Sequence, residues 1–237
     1  MTQIDRRAAA ALALLGPLAI AAGVRAQPGT AAAPARAAAG KKTVGVILYP
    51  DFEVLDVFGP VEMWAYAPDL RIVLIAEAAG SVRSAQGVSA LAEFGFANAP
   101  AMDIMMVPGG NGTRVQLNNA AYIKFLQDTD KTTTLTTSVC TGSALLAKAG
   151  LLKGKRATSN KTYFSLAVQQ DSSVDWVKKA RWVEDGKYIT SSGVSAGTDM
   201  ALGVLARLYG KPAAAQLART LEYVWNDDST NDPFAIA

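Results

Sequence analysis

The 237-residue sequence contains no histidine and only one cysteine, Cys140. Without histidine, no Cys–His–acid hydrolytic triad can form within one chain, and sites that bind a metal through histidine and cysteine clusters are not expected. With one cysteine, the chain cannot close an internal disulfide bond. Proton transfer in any reaction must therefore use another kind of side chain, and a carboxyl group is the obvious candidate.

Neither positive nor negative charge is in large excess, and long apolar runs are scarce. The formal net charge is +3, and the sequence shows no basic cluster or helix-turn-helix pattern, so nucleic acid is not expected as a partner. Beyond the N-terminal leader, no segment supplies the ~20 apolar residues that a membrane-spanning helix needs. The body of the chain, residues 41–237, is long enough for one domain with a sizeable core.

The N-terminal segment has the features of an export signal. Arg6 and Arg7 precede a short apolar stretch that ends in small residues near Ala26. This pattern is typical of a secretory signal peptide over residues 1–26, and the paired arginines indicate the twin-arginine route as one alternative. Residues 27–40 are rich in Ala, Pro and Gly and predict a disordered linker. We therefore expect a periplasmic or secreted protein without a stable membrane anchor after cleavage.

Strand and helix patterns alternate along residues 41–237. The apolar run 43–49 predicts a buried strand, Gly59 and Pro60 predict the start of a helix, and Asp185-Gly186 predicts a hairpin turn. Further helices are predicted over 122–130, 141–149, 163–169, 196–209 and 213–223, further strands over 71–77, 104–107 and 132–139, and a solvated, mobile end over 226–232. This alternation favours an α/β three-layer fold with a mostly parallel sheet, in which ligands bind beyond the carboxyl ends of the strands.

Three segments at these carboxyl ends carry candidate functional residues. Asp56 lies in PDFEVLDVFGP after the first strand, Gly109 and Gly110 lie in PGGNGTR after the strand 104–107, and Cys140 follows the next strand. We expect a carboxyl group, a glycine-rich turn and a thiol to converge on one crevice. Each also has a structural alternative: a helix cap for the aspartate, a tight turn for the glycines, and a small buried hydrophobe for the cysteine.

The pattern around Cys140 predicts a sharp strand-to-helix turn, because a β-branched run ends at Val139 and a helix pattern opens at Thr141. Such a turn points the sulfur out of the sheet and directs free N–H groups toward it. A helix N-terminus favours the thiolate, which is the nucleophilic form of cysteine. Asp199, at the start of the helix 196–209, is interpreted instead as a buried packing contact.

The strings LDVFGP, VPGG, SVCTGSALLAKAGLLKGKRAT and ITSSGVSAGTDMAL resemble the DJ-1/PfpI superfamily, in particular the branch with isonitrile hydratase and the sensor domains of AraC-type regulators. The resemblance covers about residues 44–223 and implies a flavodoxin-like sandwich with a nucleophile elbow and a homodimer. It implies that Asp56, Cys140 and Thr141 are catalytic. Relatives often carry histidine after the RAT segment, where this chain has Asn160 and Lys161.

The implied reaction is addition of water to an isonitrile, giving an N-substituted formamide without a metal or other cofactor. Cys140 would form a thioimidate, Asp56 would serve as acid and then base, and the Thr141 hydroxyl would orient water. Gly109 and Gly110 would contact the substrate, with the N–H groups of Gly110 and Thr141 stabilising developing charge.

Other functions remain open. One alternative is a redox sensor or stress-response protein that uses Cys140 without catalysis. A second is a ligand-binding domain like those of the regulators, which export makes implausible. A third is an enzyme of the glyoxalase or deglycase type, which the missing histidine disfavours.

Overall fold

The computed structural model describes residues 40–236. The predicted signal peptide, residues 1–26, lies outside the described residues, as does the predicted linker apart from Gly40. Within the described part, no helix is long and apolar enough to cross a membrane.

The described residues contain strands that group into one large sheet and two small two-stranded sheets. The strands are β1 (Lys42–Ile47), β2 (Leu70–Ala76), β3 (Gly80–Arg83), β4 (Ser89–Ala92), β5 (Phe94–Gly95), β6 (Ile104–Val107), β7 (Leu135–Ser138), β8 (Arg156–Ala157), β9 (Asp175–Trp176), β10 (Trp182–Asp185) and β11 (Tyr188–Ser191).

The large sheet has seven strands in the order β10-β11-β7-β6-β1-β2-β5. Neighbouring strands are parallel, except for the antiparallel hairpin of β10 and β11 that Asp185 and Gly186 were expected to form. The order β2-β1-β6-β7-β11 is that of flavodoxin-like folds. Because β1, β6, β7 and β11 are adjacent and parallel, the loops that follow them leave the sheet side by side.

The helices form two groups, and each group is held together by contacts among its own members. Helix α6 contacts both α1 and α7. Helices α2, α3, α4 and α5 form a second connected group. Together with the sheet they form the predicted three-layer α/β fold. Their bounds are α1 (Val54–Ala65), α2 (Thr113–Gln116), α3 (Ala120–Asp130), α4 (Gly142–Lys148), α5 (Phe164–Val168), α6 (Ala196–Tyr209) and α7 (Lys211–Thr220), with a 3-10 turn at Phe96–Asn98.

Helix α1 begins earlier than Gly59 and Pro60 predict. It starts at Val54, and Pro60 lies inside it, where the ring leaves the Asp56 carbonyl without its usual N–H donor. Burial of Val57, Met63 and Trp64 along one face stabilises the helix through this interruption. The prediction that Pro60 occupies the first helical position is therefore wrong, and Asp56 lies in the first turn of a helix.

A buried ion pair confirms that Asp199 is a packing contact at the start of α6. Its carboxylate accepts hydrogen bonds from the Arg181 guanidinium, the Tyr223 hydroxyl and the backbone N–H of Asn226. Both members of the pair are nearly inaccessible to solvent. Because all these partners lie within the protein, Asp199 connects α6 to the strand β10 region and to the chain that follows α7.

The chain after α7 is attached to the domain, so the prediction of a mobile end over 226–232 is wrong, although most of these residues are exposed to solvent as predicted. The backbone N–H groups of Arg181 and Trp182 both donate to the Ser229 carbonyl. Asp232 is buried, its backbone N–H donates to the Lys179 carbonyl, and its carboxylate lies 3.7 Å from the Arg181 guanidinium. These contacts position the last described residues beside the loop that follows β11.

Candidate functional site

Cys140 lies at a strained turn between β7 and α4, as the sequence pattern predicts. Its φ is +56°, a left-handed conformation that residues other than glycine rarely adopt. The backbone around it is held from both sides: its N–H donates to the Ser192 carbonyl at 3.1 Å, and its carbonyl accepts from the hydroxyls of Ser143 and Ser159, each at 3.1 Å. These contacts fix the direction in which the sulfur leaves the backbone.

The sulfur is buried, and N–H donors surround it. The Asn160 side-chain Nδ2 donates to Sγ at 3.1 Å, and the backbone N–H groups of Thr141 and Val194 also favour its ionised form. Burial nevertheless raises the pKa of the Cys140 thiol well above its usual value, and the Asp56 charge raises that pKa further. The N–H at the helix start therefore favours the thiolate, as expected, but desolvation outweighs it.

Asp56 is fully buried in the first turn of α1, facing the glycine-rich loop that follows β6. Its Oδ2 accepts the Gly109 N–H at 2.8 Å, while Oδ1 receives no N–H or O–H hydrogen bond from the described residues. It does not cap its helix, because Glu53 stands at the N-cap position. Burial raises the pKa of the Asp56 carboxyl well above its usual range, and the Gly109 N–H and the Cys140 thiol oppose this only in part.

Asp56 and Cys140 form a coupled acid pair. Each is buried, and the charge of the aspartate raises the pKa of the cysteine. Two negative charges in this space would repel each other at low local dielectric, so protonation of one group favours ionisation of the other. When Asp56 holds the proton, the remaining groups near the sulfur are the N–H donors, which stabilise a thiolate.

Gly109 brings these groups together through its lack of a side chain. A Cβ at this position would lie 2.6 Å from the Thr141 backbone nitrogen and 2.8 Å from Asp56 Oδ2, closer than real Cβ atoms approach. Gly109 was predicted to contact the substrate, but the structure uses its N–H for the Asp56 carboxylate. The glycine-rich turn therefore allows the Asp56 carboxyl to pack against the start of α4.

The Thr141 hydroxyl belongs to a chain of hydrogen bonds whose direction can be deduced. Tyr49 donates its one hydroxyl proton to the Pro108 carbonyl at 2.7 Å, so at 3.0 Å it accepts from Thr113. Thr113 then accepts from Thr141 at 2.7 Å, and Thr141 accepts from the Gly110 N–H at 3.2 Å. The Thr141 proton is thus engaged, and its remaining lone pair is an acceptor for water. The Gly110 N–H also has a protein partner already.

The structure thus brings all five predicted site residues to one edge of the sheet, and it adds residues that the sequence analysis missed. Asn160 was noticed only as the substitute for a histidine, and nothing in its neighbourhood indicated a contact with sulfur. Val194 adopts a left-handed φ of +48°, which no sequence signal indicates for a β-branched residue. Among residues 40–236, no group of three His, Cys, Asp or Glu side chains could hold a metal ion.

Asn160 is oriented for its contact with the sulfur. Its Oδ1 accepts the Tyr163 N–H at 3.0 Å, which leaves Nδ2 to face Cys140. A hydrogen bond to a charged group contributes about 1.5–3 kcal/mol, and one pKa unit corresponds to about 1.4 kcal/mol. Removal of this donor should therefore destabilise the thiolate measurably.

We predict that Asn160→Ala raises the pKa of Cys140, because the thiolate loses a hydrogen-bond donor. The measurement is the pH dependence of the rate at which iodoacetamide alkylates the thiol, whose midpoint should move to higher pH. Asn118→Ala is the matched control, since that exposed amide donates to the Arg114 carbonyl and leaves the midpoint unchanged. An unchanged midpoint in Asn160→Ala would show that the amide does not stabilise the thiolate.

Comparison with known proteins assigns the chain to a family. The model of the DJ-1/PfpI family matches residues 42–207. An isonitrile hydratase from Pseudomonas putida is 33% identical over 180 residues, which cover 76% of this chain and 78% of that protein. The HTH-type transcriptional regulator GbdR from Pseudomonas aeruginosa is 28% identical over 189 residues, which cover 77% of this chain and only 51% of the regulator.

A solved structure is similar as well. The crystal structure of a ThiJ/PfpI family protein from Pseudomonas syringae superposes with a TM-score of 0.71 at 31% sequence identity, covering 78% of this chain and 76% of that chain. The family match spans the strand-to-helix turn with Cys140, the Gly109 loop and the Asp56 helix. The chain therefore belongs to the DJ-1/PfpI family.

Proposed function

We propose that this protein is a cofactor-independent isonitrile hydratase, a hydro-lyase that adds water to an isonitrile to give an N-substituted formamide. The observation that carries the proposal is the buried Asp56 carboxyl beside the Cys140 thiol. Burial raises the pKa of this carboxyl, so that it can hold a proton at a pH where an exposed aspartate has lost it. Similarity to the Pseudomonas putida isonitrile hydratase supports this choice within the family.

The first step forms a covalent intermediate. The Cys140 thiolate attacks the terminal carbon of the isonitrile, forming a carbon–sulfur bond. Protonated Asp56 delivers its proton to the same carbon, and the product is a thioimidate, in which that carbon is bonded to sulfur and hydrogen and doubly bonded to nitrogen. The negative charge that leaves the sulfur now resides on the Asp56 carboxylate, so one charge is present before and after the step.

Water then completes the reaction with the same carboxyl group. As water adds its hydroxyl to the thioimidate carbon, Asp56 accepts the released proton and passes it to the nitrogen. The tetrahedral adduct collapses when its hydroxyl proton returns to Asp56 and the carbon–sulfur bond breaks. The products are the formamide and the Cys140 thiolate, and Asp56 is again protonated. The free lone pair of Thr141 accepts a hydrogen bond from the attacking water and orients it.

The N–H donors around the sulfur have a defined part in this cycle. They stabilise the thiolate before attack and again when it leaves, the two moments at which the sulfur carries the charge. Asn160 does not titrate, so it cannot exchange protons with the substrate. Since the chain has no histidine, the proposed mechanism assigns every proton transfer to Asp56 and water.

We predict that Cys140→Ala abolishes turnover of alkyl isonitriles, because no carbon–sulfur bond can form. Alanine is smaller than cysteine, so the urea unfolding midpoint should stay close to that of the wild type. The measurement is formamide production by purified protein. Substantial turnover in Cys140→Ala would refute the covalent mechanism. No turnover in the wild type, combined with a stable sulfenic or sulfinic acid on Cys140 after dilute peroxide, would favour a redox sensor instead.

We predict that Asp56→Asn lowers kcat by about 10² or more, because the amide keeps the shape of the side chain but cannot exchange protons. Because Asp56 also protonates the isonitrile carbon in the first step, mass spectrometry of the variant with isonitrile should show little substrate mass attached to Cys140. Asp128→Asn is the control, since that exposed carboxylate pairs only with Lys124 and Lys131 among the contacts of the described residues. Equal rates in wild type and Asp56→Asn would move the acid–base role to another group.

We also propose that residues 1–26 direct export of the folded domain through the twin-arginine route. This proposal rests on Arg6, Arg7 and the short apolar stretch alone. Changing both arginines to lysine should leave full-length protein in the cytoplasm, as measured by cell fractionation, whereas Arg36→Lys should not affect export. Unimpaired export of the double variant would indicate the general secretory route, and cytoplasmic wild-type protein would contradict export altogether.

A further inference from the structure

A cavity of about 540 Å³ lies beside the candidate site. Its walls come from three segments, residues 160–162, 192–195 and 234–236. This volume falls within the usual range for small-molecule sites. Asp56, Gly109 and Cys140 do not line it, so the cavity lies next to the thiol on the side of the loops after β8 and β11 rather than on the side of α1.

Two residues connect this cavity to the sulfur. Asn160 and Val194 both line it, and both provide N–H donors to Cys140 Sγ. Gly193, in the loop that joins β11 to α6, makes room for this arrangement, because a Cβ there would clash with the Asn160 amide. Cys140 itself is only 5% exposed. The Asn160 amide therefore lies between the cavity and the thiol, in contact with both.

The outer wall of the cavity is apolar and exposed. Phe234 and Ile236 are 69% and 37% exposed, although the chain that carries them is positioned by the buried Asp232. The Asp232 carboxylate accepts the Phe234 N–H at 2.9 Å, and its carbonyl accepts the Ala235 N–H. Holding large apolar side chains in place while exposing them to water is unfavourable, and a bound apolar group would relieve that exposure.

One ionisable side chain lines the cavity, and its ammonium is hydrogen-bonded within the protein. Lys161 is the one ionisable residue in its lining, and its ammonium donates to the Thr158 hydroxyl at 2.7 Å and to the Ala180 carbonyl at 2.6 Å. Apart from the Asn160 amide, the remaining lining residues are small, hydroxylic or apolar. With no carboxylate among the described lining residues, this chemistry suits a neutral group better than a cation.

We propose that this cavity binds the N-substituent of the isonitrile that reacts with Cys140, and that Phe234 and Ile236 select neutral, bulky, apolar substituents. The inference rests on the proposed function. An isonitrile is linear from its substituent through nitrogen to the terminal carbon. Such a rod can pass the Asn160 amide and place its carbon at a buried thiol while the substituent stays in the cavity.

The test compares benzyl isonitrile with methyl isonitrile. In Phe234→Ala, kcat/KM for benzyl isonitrile should fall about tenfold, since loss of apolar contact with a substituent costs about 1–3 kcal/mol. The value for methyl isonitrile should change less than about twofold, because a methyl group does not extend to that wall. Val224→Ala is the matched control: Val224 is 92% exposed in the same C-terminal segment, does not line the cavity, and should change neither value.

A second reaction tests the cavity without relying on isonitrile chemistry. Benzyl and methyl methanethiosulfonate each transfer their S-alkyl group to a thiolate, forming a mixed disulfide on Cys140 and releasing methanesulfinate. The wild type should react faster with the benzyl reagent than with the methyl reagent, and Phe234→Ala should lose most of that preference. If isonitriles are not turned over but this pattern appears, the proposed function fails and the cavity assignment stands. If Phe234→Ala leaves the benzyl-to-methyl ratio unchanged for both reagent types, the cavity assignment is wrong.

Discussion

The burial of a carboxyl and a thiol in one pocket is the constraint on which the rest of the site depends. Each group loses hydration when it ionises there, and ionisation of one opposes ionisation of the other. The surrounding structure compensates for a single negative charge. The Gly109 N–H supports that charge on Asp56, and the donors from Thr141, Val194 and Asn160 support it on Cys140. The proposed reaction requires a negative charge that moves between two side chains, each of which has N–H donors to stabilise it.

The fold supplies these positions because four parallel strands end next to one another. The loops after β1, β6, β7 and β11 meet at one sheet edge, where α1 brings Asp56, the β6 loop brings Gly109, and the β7 turn brings Cys140. The approach is close enough that glycine is needed at the junction. The strained backbone of Cys140 is held by hydrogen bonds to its N–H and carbonyl, and these contacts offset the cost of its conformation.

The parts of this arrangement that the sequence predicts are local in sequence. The turn at Cys140 follows from a β-branched run and a helix pattern on either side, and α6 begins at Ala196 and ends at Tyr209, as the 196–209 pattern predicts. The start of α1 could not be predicted from Gly59 and Pro60, because burial of one helix face outweighed the local signal. The contact between Asn160 and the sulfur joins residues 20 positions apart and depends on how β8 and α5 pack, which local patterns do not encode.

The position of the C-terminal segment also depends on contacts that are distant in sequence, so local patterns do not predict it. Its polar composition indicates a solvated end, but Arg181 pairs with both Asp199 and Asp232, over 18 positions in the first pair, and so fixes the segment against the domain. Asp199 also accepts hydrogen bonds from the chain after α7. One buried network therefore positions both the start of α6, which lies next to Val194, and the segment that carries Phe234. The donors to the sulfur and the wall of the cavity are therefore positioned by the same ion pairs, which links the reactivity of Cys140 to the shape of the space beside it.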